Sequence, residues 1–380
     1  MKHAALLISI ALINSAIAQT GEAEGESPIS WTGFASVVAG RVFDADKKTP
    51  LPNAPQINCP CFISNWSYNG VYHDSWTAKP DTRAGLQANA RISDTLSFVA
   101  QVVTRGAEQT PSVQWAFLNY QVDDRWQLQL GRKRVPLYFY SEFQDVGFAL
   151  PWISPPTELY GWEVNNFWGG VVRYHNKFDG ATVAASVFHG SEKVKDSKYN
   201  QNFSAIYGTA SSDVSWKGIL GGDLEVSRDW WTLRGIYLQS KNRTDLNNGS
   251  RINSTMKVAG LTFGGDFGDW FFLSELTRND RTYTDGASFT VKAPAHLLGV
   301  GYRFGHWTPF VSVSQYKENT TVPLSSYSTQ GWKAKSFVLR YDVDSRSSVK
   351  AQLNINDDIA PLNDFTGDMK LFRLSYDRMF

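Results

Sequence analysis

Along most of the chain, apolar and polar side chains alternate one by one. Between Arg83 and Ile92, Ala84, Leu86, Ala88, Ala90 and Ile92 hold one parity, against Arg83, Gln87, Asn89 and Arg91 on the other. From Val349 to Asn356 the alternation has no fault, with Lys350, Gln352, Asn354 and Asn356 as its polar members. Trp216, Leu220, Leu224 and Val226 are expected to share one face of a further strand, and Lys217, Asp223 and Glu225 the other. A period of two is that of a strand with unlike faces, and residues 30–380 contain no convincing helical period. The chain is expected to be all-β.

Alternation alone also fits a soluble sandwich, so the connections matter. Short turns are expected at Ser93-Asp94, Asp123-Asp124, Asp179-Gly180, Arg228-Asp229, Gly268-Asp269, Gly305-His306 and Ser345-Arg346. Long connections are expected at 44–79, 106–111, 134–167, 191–213, 242–254, 280–290, 318–330 and 357–367. Short turns on one rim and long loops on the other characterise transmembrane antiparallel barrels. Seven short and eight long connections predict about sixteen strands, with both ends on the short-turn, periplasmic rim. Trp31, Trp126, Trp168, Trp216, Trp231, Trp270 and Trp307 fall near expected strand ends, as the aromatic girdles of a membrane barrel do. The last strand ends on Tyr376 and Phe380, whose aromatic face would invite aggregation unless that edge closes on the first strand.

Composition narrows this picture. Met1-Lys2-His3, the apolar run Ala4–Ala16 and Ala16-Ile17-Ala18 read as a secretory leader over 1–18, followed by a short periplasmic segment, 19–29, and the barrel, 30–380. No later apolar run approaches twenty residues, which excludes helical membrane spans. Lys plus Arg (37) balances Asp plus Glu (36), so nothing points to nucleic acid. Cys59 and Cys61 lack the companions of a zinc or redox site and read as a short loop feature, a disulfide between near neighbours. No cofactor is expected.

The polar parity gives the lumen. Arg41, Arg83, Arg91, Arg105, Arg173, His175, Lys177, Lys217, Arg234, Arg303, Arg340, Lys350 and Arg373 outnumber Asp223, Glu225, Asp342 and Asp377 there. A sixteen-stranded ring is too wide to be filled by wall side chains, so a wet, largely basic channel is expected, and basic walls favour anions. One connection is unlike the rest. Residues 134–167 carry Tyr138, Phe139, Tyr140, Phe143 and Trp152, too aromatic for a solvated loop. The loop is expected to fold inward and narrow the pore.

With Leu130-Gly131-Arg132 before this loop and Phe380 at the end, the chain resembles the Gram-negative porins. In that family the third loop, after the fifth strand, forms a constriction in which acids face arginines. The resemblance implies Glu142 and Asp145, then Glu158, as the acids, against Arg83, Arg91, Arg132 and Arg41. Strict alternation from Trp126 places Arg132 towards lipid and Lys133 in the lumen, unless a bulge at Gly131 reverses them. The resemblance further implies an outer-membrane homotrimer, with Phe380 and Tyr376 as the sorting signal read by the assembly machinery and with lipid and lipopolysaccharide around the barrel. The expected function is passive diffusion of small hydrophilic solutes. The loop aromatics leave a second reading open, a channel selective for sugars, phosphate or dicarboxylates. An enzyme barrel would need a Ser/His/acid constellation; none of the six histidines has a Gly-x-Ser-x-Gly partner, and no catalytic residue is expected.

Overall fold

The computed structural model describes residues 27–46, 60–108, 110–204, 211–324, 326–361 and 366–380. The expected leader, residues 19–26 and Cys59 lie outside them.

Strands form where the alternation predicts them. They are β1 (Ile29–Phe43), the hairpin β2 (Phe62–Asn65) and β3 (Gly70–Tyr72), β4 (Arg83–Arg91), β5 (Leu96–Arg105), β6 (Ser112–Gln121) and β7 (Trp126–Arg134). After the long loop come β8 (Asn166–Phe178), β9 (Ala181–Val194), β10 (Ser212–Arg228), β11 (Trp231–Leu246), β12 (Arg251–Phe267) and β13 (Trp270–Tyr283). The wall is completed by β14 (Phe289–Tyr302), β15 (Trp307–Lys317) with its short extension β16 (Asn319–Thr320), β17 (Gly331–Asp342), β18 (Ser347–Asp358) and β19 (Met369–Met379). β2 and β3 form a separate sheet, so sixteen antiparallel strands make the wall.

β1 closes the barrel. It pairs with β4 on one side and with β19 on the other, where Phe34 lies opposite Met379 and Phe43 opposite Lys370. Closure matters because an unpaired edge in hydrocarbon would strand backbone groups at several kcal/mol each. All seven expected turns fall between paired strands on one rim, helped at Asp179-Gly180 by two left-handed residues (φ 45° and 76°). Two of the expected long connections are tighter than predicted. β11 runs on to Leu246 before β12 starts at Arg251, and β13 to Tyr283 before β14 starts at Phe289. Their polar residues belong to hairpins that continue the sheet, which polarity alone cannot distinguish from loop.

The outer surface is the apolar parity, with Leu86, Leu130, Val187, Leu224, Leu276, Leu298 and Leu374 exposed to lipid. Trp31, Trp126, Trp168, Trp270 and Trp307 are exposed near strand ends, together with Tyr376 and Phe380. Trp216 departs from the expected girdle. The pairing of β10 shifts register between Lys217 and Leu220, around Gly218 at φ 56°. Such a bulge flips the parity beyond it. Trp216 is therefore buried inside and Lys217 is exposed.

The lumen is less polar than the alternation suggests. Leu238, Met256, Val258, Leu273, Leu297 and Val338 face inward and form one buried cluster with Tyr138, Tyr140, Leu150 and Trp152 of the inward loop. Each large apolar side chain buried there contributes roughly 1.5–3 kcal/mol. β1 is apolar on both faces for the same reason. Phe34 packs on Val146 and Ala149 of the loop, and Val42 packs on Phe62 and Tyr72 of the hairpin.

Candidate functional site: the loop across the barrel

The loop after β7, the fifth wall strand, turns into the lumen at once. It contains two short 3-10 turns, Ser141–Phe143 and Gly147–Ala149, and one helical turn, Thr157–Tyr160. Its length lets it cross from one wall to the other, and the wall's charged residues decide where it is held.

On the near side, Asp145 sits between two guanidinium groups. Arg105 Nη2 lies 2.9 Å from one carboxylate oxygen and Arg134 Nη2 lies 2.6 Å from the other. Arg83 reaches the same segment through backbone, donating from Nε to the Asp145 carbonyl (2.7 Å) and from Nη2 to that of Ile153 (2.9 Å). Burial alone would push the Asp145 carboxyl up, but Arg105, Arg134 and Arg83 hold it well below the usual carboxylate range. Its side chain is only 8% exposed. Asp145 is thus a clamp inside a shell of arginines.

Glu142 is the acid that keeps contact with the lumen, at 29% side-chain exposure. Arg173 of β8 donates to it at 2.6 Å, and Lys133 Nζ lies 3.8 Å away. Burial opposes ionisation here too, yet Arg173 and Lys133 bring the carboxyl down to about 2. Lys133 rests over the Phe117 ring, 4.1 Å from its centroid.

On the other flank of β1, along β17, β18 and β19, basic wall residues bind the next part of the loop. Lys350 Nζ donates to Gly147, Leu150 and Trp152 at 2.6, 2.9 and 2.9 Å. Arg340 donates to the Phe148 carbonyl at 2.7 Å, and Gln352 accepts from the Ile153 N–H at 2.8 Å. Arg373 bridges Ser154 and Asp81 at 2.5 and 2.7 Å. Across the lumen, on β11, β15 and β13, Arg234 donates to the Pro136 carbonyl at 2.6 Å, Trp152 Nε1 to Ser312 at 2.9 Å, and the Tyr160 hydroxyl to Glu275. Hydrogen bonds from charged donors contribute about 1.5–3 kcal/mol each, so the set holds the loop firmly.

The expected constriction residues therefore divide. Glu142, Asp145, Arg83 and Lys133 meet at or beside the loop. Arg132 does not enter the lumen: no register shift occurs at Gly131, and Arg132 packs against Trp168 and Glu192 on the parity of Leu128 and Leu130. Arg41 is likewise corrected. It shares the outward parity of Val37, because Phe34, Ser36, Val38 and Val42 are the buried set of β1. Arg91 has lumen parity but stands at the turn rim in an exposed pair with Asp94. Glu158 is bonded to Ser314 on β15 and forms no ion pair with Arg83, Arg91, Arg132 or Arg41 among the described residues. Tyr140 and Trp152 are buried in the apolar cluster and Phe143 packs against it, so they do not form an open stacking track; only Tyr138 reaches a cavity above. Alternation places Arg105, Arg173, Arg234, Arg340, Lys350 and Arg373 in the lumen, but nothing local marks the first five as partners of loop carbonyls and acids or Arg373 as a partner of Ser154 and Asp81.

The first long loop contributes as well. Cys61 is buried and disulfide-bonded beside the β2–β3 hairpin. The Ser67 hydroxyl donates to the Trp162 carbonyl, and Asn165 donates to Ser67 at 3.0 Å. The hairpin thereby ties the end of the inward loop from above. A pair of substitutions checks the division at β7: Arg132→Ala should leave single-channel conductance near the parent value, while Lys133→Ala should change it by removing a charge beside Glu142.

A closed sixteen-stranded barrel with a lipid-facing apolar belt, aromatic girdles and its third long loop folded inward has the fold of the porin-type outer-membrane barrels. Solved structures share this fold. The outer membrane channel DcaP of Acinetobacter baumannii superposes with a TM-score of 0.60 at 12% identity, over 95% of this chain and 99% of that one. The anion-selective porin from Comamonas acidovorans gives 0.58 at 12% identity, over 93% and 99%. OmpT of Vibrio cholerae in a trimer form gives 0.56 at 10%, over 93% and 99%. At these identities the likeness is one of fold. No protein-family model matches the chain, and no curated protein does.

Proposed function

We propose that this protein is a passive diffusion channel for small hydrophilic solutes and ions, with a mild preference for anions. The observation that carries the reading is the charged, anchored loop inside a barrel too wide for its walls to fill. The loop's carbonyls and acids neutralise or engage Arg83, Arg105, Arg234, Arg340 and Lys350, and Asp81 pairs with Arg373 beside Ser154. The remaining preference then rests on exposed bases of the turn-side mouth, Lys177 and, beside Asp94, Arg91. It is weaker than a count of wall charges would give. The anion-selective porin among the fold neighbours is consistent with that sign. Homotrimeric assembly, lipid and lipopolysaccharide around the barrel, and recognition of Phe380 and Tyr376 by the assembly machinery belong to the same proposal.

Planar-bilayer recording tests it. The full-length folded protein should give stable conductance steps and a reversal potential of anionic sign in a salt gradient. Arg91→Glu with Lys177→Glu should move that potential towards the cationic side. A cationic potential in the parent, or no steps at all, would remove the reading.

A further inference from the structure

On the long-loop side of the constriction, the described residues enclose a cavity of about 520 Å³. Its floor is the inward loop, through Tyr138, Glu158, Trp162 and Glu163. Two stacked ring pairs line its wall. Tyr316 and Trp332 lie 5.9 Å apart at 27°, and Tyr283 and Phe289 lie 4.7 Å apart at 18°. All four are only partly buried, unlike the loop aromatics packed in the cluster below. Amide side chains stand among the rings. Asn242 and Asn279 both line the cavity, and the Asn279 Oδ1 is buried with no hydrogen-bond partner among the described residues. Buried polar atoms are nearly always paired, so an orphaned acceptor beside a cavity of this size marks a place for a donor.

The lining also says which solute fits. Its guanidinium, Arg281, is already bonded to Glu163 at 2.8 Å, and Glu318 and Asp285 add negative charge. A phosphate or dicarboxylate would meet that acidic wall. A quaternary ammonium could lie on the rings but has no N–H to give the orphaned Asn279 Oδ1. A sugar answers both demands, because each hydroxyl donates and accepts while the C–H face of the ring stacks on aromatic rings.

We infer that the outer vestibule is a saccharide-binding site, sized for a mono- or disaccharide, that holds the sugar directly above the constriction. This rests on the channel reading above and names the solute class it concentrates. The test is calorimetry and current block on the full-length folded protein with glucose, maltose, sucrose and N-acetylglucosamine, against inorganic phosphate, succinate and tetraethylammonium. At least one saccharide should bind saturably and interrupt the current. Asn279→Ala and Trp332→Ala should each weaken it by about tenfold. Trp332→Phe, which keeps a stacking face and guards against a folding defect, should restore most of the affinity. Ionic conductance with no saturable saccharide binding overturns the vestibule assignment and leaves the channel intact. Stronger block by phosphate, succinate or tetraethylammonium than by any sugar overturns it too. Calorimetric sugar binding by a barrel that does not conduct upholds the site and overturns the channel.

Discussion

Asp145→Ala should turn a steady channel into one of larger, noisier conductance and should lower the barrel's resistance to heat. The carboxylate joins Arg105 and Arg134, both almost wholly buried, at 2.9 and 2.6 Å. Removing one partner of a buried ion pair costs about 3–5 kcal/mol, most of it from the charge left behind. Here two guanidinium groups lose their acid; Arg105 keeps Glu108 at 2.9 Å, and Arg134 keeps Gln114 at 2.6 Å. The loop would then keep Arg83, the Glu142 pair with Arg173, the bonds of Arg234, Trp152 and Tyr160, and the anchors on β17, β18 and β19. Asp145→Asn keeps the shape without the charge and should fall between the two. The measurements are single-channel conductance and the temperature at which folded-barrel mobility is lost on a gel. Parent-like values for both in Asp145→Ala would mean that the clamp holds nothing.

The second large effect is expected at Lys350. Its side chain is 0% exposed, with three loop carbonyls and Asp377 (3.3 Å) around one ammonium. Lys350→Met keeps the bulk and deletes every donor. Each unsatisfied buried acceptor costs about 1–3 kcal/mol, and Asp377 is left with Ser36 and Ser375 as its hydrogen-bond partners. Methionine should therefore destabilise the barrel about as much as the loss of Asp145 and should free the loop from β18. The double variant Asp145→Ala with Lys350→Met should open the pore more than the sum of the singles, since either anchor alone still positions the same loop. Strict additivity in conductance would show that the two anchors hold independent segments.

Much of this fold is legible in the sequence because a membrane barrel repeats one local rule. Period-two runs give the strands, Asp/Gly turns give one rim, and the aromatic content of 134–167 gives the inward loop. The misplacements trace to breaks in that rule. A single extra residue at Gly218 exchanges Trp216 and Lys217 between lumen and exterior. Arg41 sits in a strand whose faces are both apolar, so parity there has no anchor in the pattern. Arg132 follows strict alternation, and it was the family resemblance that drew it inward. The site is harder to read than the wall. Alternation can say that Lys350 or Arg234 faces the lumen, but its partners are backbone carbonyls more than ninety positions away, and a carbonyl has no residue type to betray it. The vestibule shows the same thing, since Trp66, Trp162, Tyr316 and Trp332 come together only once the hairpin and loops have folded over the mouth.

The loop's two sets of anchors have a mechanical meaning as well. A ring of sixteen strands is thin for its width, and lateral pressure from the bilayer tends to flatten such a ring into an oval. A segment fastened to β5 and β7 through Asp145 and to β13 through Tyr160, with β13 lying half-way round the sixteen-stranded ring from β5, is a cross-tie along a diameter. It keeps the cylinder round, and the aperture beside it keeps a constant width while the surrounding membrane is stretched or compressed.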